Sequence, residues 1–253
     1  MIFELSELIR SSIQQSLEDR VAISFSGGVD STIISSLARQ HSEVELFCAG
    51  VEGSPDLEYA EKAANQFTLP LHKTIINEEK AMEIYDKCYR MLPMNLLKVE
   101  ILVPVYLIAE AASRKNHSVL LFGSGAEELF AGYDRYYAYK EEGKNVDEIL
   151  REEFRTLPQR EIAWVKKVCR KFGIEARFPY YNRKLADFVF TVPVEDRMED
   201  RELKKVILRE AGKLLGAPEI ALQRRKKAMQ YGSGVHKIFM KRADELNAAY
   251  PSS

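Results

Sequence analysis

An apolar segment that ends in two adjacent glycines most constrains the fold of this 253-residue chain. Residues 21–25 suit a buried strand, the next loop reads Ser26-Gly27-Gly28-Val29-Asp30-Ser31, and residues 32–38 favour a helix. In such a turn, the backbone N–H groups and the positive end of the helix dipole bind anions. Gly27 and Gly28 allow an anion to approach closely because neither carries a Cβ. The segment therefore predicts an anion-binding loop, although a plain glycine turn with a polar cap fits the same pattern.

The polar side chains of this loop indicate which anion it binds. Ser26 and Ser31 add hydroxyl donors, whereas Asp30 would repel phosphates unless a divalent cation lay between them, which implies Mg²⁺. The loop is not a Walker A sequence, because that motif ends in Gly-Lys-Ser/Thr. We therefore expect a phosphate site of a different type.

Strand-like and helix-like segments alternate through the first half of the chain. Strands are predicted at 44–50, 69–76 and 118–122, and helices at 58–67, 78–91 and 105–115. This alternation predicts an α/β fold with a doubly wound parallel sheet, in which ligands bind at the carboxyl ends of the strands. The loops at 26–28 and 123–125 both follow strands, so we expect them to be neighbours on one edge of the sheet.

The second half of the chain is predicted to be mostly helical. An amphipathic helix opens the chain, and beyond about residue 133 helices are predicted at 146–155, 160–172, 183–192, 202–215 and 235–249. We expect residues 1–140 to form the α/β core and residues 141–253 to form a helical extension packed on it. No linker marks the boundary, so one integrated domain is equally compatible with the sequence.

Composition limits the classes of partner and the compartment. The chain has 37 basic and 38 acidic residues, so no overall field attracts nucleic acid or an anionic membrane. Its three cysteines are far apart, which favours a reducing compartment. No signal peptide or membrane-spanning segment is recognisable, and we expect a cytoplasmic protein with no membrane partner. The sequence does not indicate an oligomeric state.

A second polar loop follows the strand predicted at 118–122. It reads Gly123-Ser124-Gly125-Ala126-Glu127-Glu128, and a carboxylate there could reach the same metal as Asp30. Together with the loop at 26–31, this segment resembles the synthetase domain of asparagine synthetase, within the PP-loop ATP pyrophosphatases. Further matching segments follow the family order at 53–56, 175–180, 205–209 and 225–227.

The resemblance implies an ATP-dependent ligase that adenylates a carboxylic acid, releases pyrophosphate and passes the acyl group to ammonia or an amine. It implies that pyrophosphate is held by Ser26, Gly27, Gly28, Asp30 and Ser31. Ser24, Ala49 and Gly123 are placed near the adenosine by the same resemblance. Asp30 and Glu127 are the implied Mg²⁺ ligands. Lys205, Glu175 and Ser124 are the implied catalytic residues, with Lys205 neutralising phosphate charge in the transition state.

Two positions depart from the family pattern around the acceptor. Ser124 stands where the family has an acid, or Tyr in β-lactam synthetase, and a serine hydroxyl is a poor general base near neutrality. Lys98-Val99-Glu100 stands where asparagine synthetases have Thr-x-Arg. Since an acid there would repel the carboxylate of aspartate, we expect aspartate to be a poor substrate.

The nitrogen source is also expected to differ. The chain begins Met1-Ile2 and shows no N-terminal Cys of the glutaminase type, so no glutaminase domain of its own is expected. The nitrogen would come from free ammonia, from an amine, or from a separate glutaminase subunit.

Two other functions are compatible with a PP-loop. One is a tRNA-modifying enzyme that adenylates a base, against which stand the balanced charge and the lack of paired cysteines. The other is a nucleotide-binding regulatory protein that has lost catalysis, which the changes at Ser124 and Glu100 would allow. The presence of Asp30, Glu127 and Lys205 argues against that loss.

Overall fold

The computed structural model describes residues 1–225 and 228–250, and these form a layered α/β structure. Its five-stranded sheet comprises β1 (Arg20–Ser24), β2 (Glu43–Gly50), β3 (Leu71–Ile75), β4 (Val119–Leu121) and β5 (Glu175–Arg177). All neighbouring strands pair in parallel, in the order β3-β2-β1-β4-β5. The chain moves outward from β1 to β3 and then crosses to β4 on the other side of β1. That reversal creates the crevice in which ligands of such sheets bind.

Helices precede, connect and follow these strands. They are α1 (Ile2–Gln14), α2 (Val29–Ala38), α3 (Pro55–Phe67), α4 (Glu78–Met91), α5 (Leu96–Arg114), α6 (Ala126–Leu129), α7 (Asp134–Glu141), α8 (Val146–Thr156), α9 (Glu161–Arg170), α10 (Arg183–Val189), α11 (Val194–Arg197), α12 (Val206–Leu214), α13 (Glu219–Leu222), α14 (Met229–Gly232), α15 (Val235–Met240) and α16 (Ala243–Ala249). A 3₁₀ turn spans Leu157–Gln159.

The sheet is buried on both faces, which confirms the doubly wound arrangement. Successive residues of a strand point to opposite faces, and Ile23 packs in one apolar cluster while Ala22 packs in the other. The cluster around Ile23 contains side chains of α1, α2, α3 and α12. The cluster around Ala22 contains side chains of α4, α5, α9 and α15. The clusters thus combine residues from both sides of residue 140.

Several elements differ from the sequence-based expectations, three of them beside the site or at the sheet edge. Helix α5 begins at Leu96 instead of residue 105, because Asn95 caps it by accepting a hydrogen bond from the Lys98 amide and the helix continues through Pro104. Residues 175–177 form an edge strand that the pattern did not indicate. The helix expected at 235–249 is divided into α15 and α16.

No single helix in the described ranges is long and apolar enough to cross a membrane, and α4 with α5 would qualify only as a pair bent by 110°.

Candidate active site

The glycine loop forms a tight turn between β1 and α2. Gly27 has φ of +72°, and a Cβ on it would lie 2.5 Å from the carbonyl oxygen of Tyr59, so only glycine fits. Gly28 is the N-cap of α2, and its amide donates to Ser26 Oγ at 3.4 Å. The N-terminal end of the ten-residue helix α2 therefore faces this loop, as an anion site requires.

A buried lysine joins the two carboxylates expected to bind metal. Lys205 Nζ donates to Asp30 Oδ1 at 2.8 Å and Oδ2 at 2.7 Å, and lies 2.8 Å from Glu127 Oε1. The side chains of Lys205 and Asp30 are only 6% and 9% exposed. Burial disfavours the ammonium, but the charges of Asp30 and Glu127 outweigh it and raise the pKa of Lys205. Lys205 is therefore a cation in this site.

The backbone that presents Lys205 is held in an unusual conformation. Lys204 and Lys205 both have positive φ, 55° and 54°, which costs energy for a residue with a side chain. Arg209 stabilises this turn, since its Nε donates to the Lys204 carbonyl at 2.7 Å and its Nη1 to the Leu222 carbonyl at 2.6 Å.

Gly132 completes the surroundings of the lysine. A Cβ on Gly132 would lie 1.7 Å from Glu127 Oε2 and 2.3 Å from Lys205 Cε. Its amide donates to the Glu127 carbonyl at 2.9 Å, so the turn after α6 folds back onto Glu127. Because Gly132 has no side chain, there is room for the ion cluster formed by Lys205, Asp30 and Glu127.

A cavity opens beside the glycine loop at the carboxyl ends of β1 and β4. Predicted site residues that line it are Ser24, Ser26, Asp30, Ser31, Ala49, Gly123, Ser124 and Glu127. Helix α5 contributes an apolar wall made of Ile101, Pro104, Val105 and Ile108. The structure thus brings the two polar loops together at one edge of the sheet.

Ser124 contacts a carboxylate that the sequence patterns did not identify. Its Oγ donates to Glu161 Oε1 at 2.5 Å, and Glu161, on the first turn of α9, also lines the cavity. The neighbouring Glu128 is 3% exposed, and burial with the charges of Glu161 and Glu127 raises its pKa to about 8. No motif includes Glu161, because it lies 37 positions from Ser124.

Glu175 does not line this cavity, and its implied catalytic role has no support from the geometry. It opens β5 at the amino ends of the strands, where it pairs with Val119 in register. Its side chain is 62% exposed and bonds to Arg177, which in turn contacts Glu18. The Arg177 guanidinium lowers the pKa of Glu175. Because the strands are parallel, their amino ends lie away from the ligand edge.

Glu100 also differs from the expectation that it lines the acceptor pocket. It is fully buried and is absent from the cavity wall, although its neighbour Ile101 is part of that wall. Its Oε1 and Oε2 lie 3.0 and 3.1 Å from Nδ1 of His236 on α15. Burial raises the pKa of Glu100 despite this partner. Glu100 therefore holds α15 and gives no reason to exclude aspartate.

Arg224 is a further buried residue near the loop. Its Nη2 donates to Asp56 Oδ1 at 2.5 Å, its Nη1 donates to the Ser26 carbonyl, and its guanidinium lies 4.4 Å from the centre of the Tyr59 ring. By itself, the segment 225–227 that follows it reads as a solvated basic run. Of the matched segment 225–227, Lys226 and Lys227 lie outside the described residues.

The donor set is compatible with magnesium. Among the described residues no group of three or more His, Cys, Asp or Glu side chains is arranged to hold a metal. Mg²⁺ is commonly held by one or two carboxylates together with substrate phosphates. Asp30 and Glu127 already converge on a single cation, the Lys205 ammonium.

These features place the chain among α/β proteins in which a glycine loop lies at the point where the strand order of a parallel sheet reverses, the place where such folds bind ligands. It matches the asparagine synthase family over residues 4–161 and 140–251. A putative glutamine-hydrolysing asparagine synthetase of Methanocaldococcus jannaschii is 31% identical over 88% of this chain and 47% of its own length. Asparagine synthetase B of Escherichia coli is 24% identical over 92% of this chain and 45% of its own length. The chain belongs to the asparagine synthase family.

The chain spans about half the length of the curated relatives it matches. Among solved structures, NMN synthetase from Francisella tularensis aligns with a TM-score of 0.49 and 13% identity, over 100% of this chain and 86% of that chain.

Proposed function

We propose that the chain is an ATP-dependent, AMP-forming amide ligase. It activates a carboxylic acid as an acyl-adenylate and transfers the acyl group to ammonia or an amine. The observation that supports this most is the buried Lys205, held between Asp30 and Glu127 beside the glycine loop. Attack of a carboxylate on the α-phosphorus builds charge on oxygens that are already anionic. Fixed cationic groups and backbone N–H donors are the stabilisers such a step needs.

Each part of the site has a role in this proposal. The loop 26–28 and the start of α2 bind the β- and γ-phosphates, with Ser26 and Ser31 adding hydroxyl donors. Lys205 stabilises the developing charge. Asp30 and Glu127 would hold Mg²⁺, which neutralises the phosphates when bound. Ser24, Ala49 and Gly123 line the part of the cavity assigned to the adenosine.

The proton of the attacking nitrogen is assigned to Glu161. Ser124 cannot act as a base near neutrality, but its hydroxyl orients the Glu161 carboxylate through their 2.5 Å hydrogen bond. In this assignment the Glu161 carboxylate, which lines the cavity, attracts an ammonium ion and takes its proton. Ser124 then acts as a positioning residue.

A substrate panel tests the proposed activity and identifies the carboxylic acid. The purified chain is supplied with MgATP, ammonium and a panel of amino acids that includes aspartate, and pyrophosphate release is followed. Chromatography should show AMP as the nucleotide product. ADP as the main product, or tRNA as the acceptor needed for turnover, would overturn the proposal.

A folded Asp30→Asn variant is the matched control and should release no pyrophosphate. Glutamine belongs in the same panel, because a separate glutaminase subunit is proposed only if ammonium works and glutamine does not. Cys48, Cys88 and Cys169 are buried thiols that form no disulfide among the described residues, which supports action in a reducing compartment such as the cytoplasm.

A further inference from the structure

Arg224 is nearly inaccessible, with 2% of its side chain exposed, yet it belongs to a basic segment far along the chain from the glycine loop. Its partner Asp56, at the first turn of α3, is also buried at 4%. A buried ion pair by itself contributes little net stability, because desolvation offsets the attraction. The role of Arg224 therefore has to be sought in the other contacts of its guanidinium, and not in the stability that the ion pair contributes.

The second contact of Arg224 is to the carbonyl of Ser26, the residue immediately before the two glycines. This carbonyl and the amide of Gly27 belong to the same peptide unit. In a planar trans peptide the C=O and N–H bonds point in opposite directions. An arginine that holds the Ser26 oxygen on one side therefore fixes the Gly27 N–H on the other.

The Gly27 amide is available for a ligand. Within the described residues it donates no backbone hydrogen bond, whereas the amides of Phe25 and Gly28 both have acceptors. A buried or semi-buried amide without a partner is costly, so a phosphate oxygen is a natural acceptor. On the other side of the loop, the carbonyl of Tyr59 blocks any side chain at position 27.

The arginine is in turn fixed from two directions. Asp56 accepts from its Nη2, and the Tyr59 ring lies against its guanidinium plane. Its own carbonyl accepts from Arg209 Nη2 at 3.0 Å, and Arg209 also holds the turn that presents Lys205. One hydrogen-bonded chain therefore joins the lysine to the glycine loop.

We propose that Arg224, held by Asp56, is a positioning residue that aims the Gly27 N–H at the pyrophosphate part of ATP. The proposal rests on the proposed function, since it requires that the loop binds pyrophosphate. This role predicts different effects on ligands that carry the β- and γ-phosphates and on ligands that lack them. Among the residues assigned to the nucleotide, Arg224 hydrogen-bonds only Ser26 of the glycine loop, so its loss should affect ligands with β- and γ-phosphates and spare AMP.

The test is calorimetric titration of wild type and Arg224→Gln with MgATP, Mg-pyrophosphate and AMP. We expect affinities for ATP and pyrophosphate to fall by about tenfold or more, the typical loss of a charge-assisted contact, with AMP affinity unchanged. Equal losses for ATP and AMP, or no loss, would show a purely structural role and overturn the inference. If wild type itself binds neither ATP nor pyrophosphate, the proposed function fails together with this inference.

Arg197→Gln is the matched control. Arg197 is also fully buried, pairs with Asp147 and donates to the carbonyls of Val192 and Leu129, but it does not contact the loop. It should lower the melting temperature without changing the ratio of ATP to AMP affinity. If Arg224→Gln does not fold, Arg224→Lys keeps a cation beside Asp56 but cannot reach both partners, and the same selective loss is expected.

Discussion

Substitution of Gly132 by alanine should disable the ion cluster while leaving the fold intact. The added Cβ would lie 1.7 Å from Glu127 Oε2 and 2.3 Å from Lys205 Cε. Both are parts of long, flexible side chains, so they can retreat without moving the backbone. Gly132 does not have a positive φ, and alanine is therefore compatible with its backbone. Because Lys205 keeps both contacts to Asp30 and loses only its contact to Glu127, we expect the free energy of unfolding to fall by about 1–2 kcal/mol.

The functional effect should be much larger. Non-bonded heavy atoms prefer separations of about 3.5–4 Å, so Glu127 Oε2 must move by well over about 1 Å. Metal ligands tolerate deviations of only about 0.2 Å, so a shift of this size would remove Glu127 from the proposed Mg²⁺ site. Perturbing a metal site in this way typically costs about 10–100-fold in metal affinity. The 2.8 Å contact between Lys205 Nζ and Glu127 Oε1 should also be lost.

The assay is titration of Mn²⁺ in the presence of ATP, followed by electron paramagnetic resonance, with the melting temperature measured in parallel. Gly27→Ala provides the contrast. It combines a φ of +72° with a clash against the Tyr59 backbone, and should lower the melting temperature as well as nucleotide affinity. Wild-type Mn²⁺ affinity in Gly132→Ala, or a loss of stability as large as that of Gly27→Ala, would refute this reasoning.

Three further predictions concern charge in the interior. Lys205→Met leaves Asp30 and Glu127 facing each other without a cation, so its melting temperature should be lower than that of wild type. Added Mg²⁺ should raise the melting temperature of the variant far more than that of wild type, and equal increases would contradict this prediction. Glu100→Arg places a second basic side chain in the interior against His236 and should lower the free energy of unfolding by about 3–5 kcal/mol in chemical denaturation. Glu100→Gln should lower it less, and an unchanged denaturation midpoint in Glu100→Arg would contradict the contact described for Glu100. Burial and the Arg20 charge lower the pKa of His117, so the unfolded chain binds a proton more readily than the folded chain. The free energy of unfolding should therefore fall as pH drops below about 6.5, by at most about 1.4 kcal/mol per pH unit. Denaturation of wild type and His117→Asn over a range of pH should show this slope in wild type only.

The local features of the sequence determined much of the fold and one half of the site. Apolar runs alternating with amphipathic ones predicted the parallel sheet, and the segment at 26–31 predicted the anion loop. These predictions succeed because strand, turn and helix preferences act between residues close in sequence. Where a short segment lacked a pattern, as at β5, or where a cap overrode the signal of Pro104 in α5, the prediction was wrong.

Only the tertiary structure decided which distant side chains meet. Lys205 reaches Asp30 across 175 positions, and Arg224, which directly precedes a segment that reads as a solvated basic run, reaches the loop. The same packing turned Glu100 toward His236 and left Glu175 at the far edge of the sheet. Spacing in the sequence carries no information on such contacts, because they depend on how whole helices dock on the sheet and on the few ion pairs that burial permits. The position of the glycine loop could therefore be read from the sequence, whereas the ion pairs around it are set by the fold.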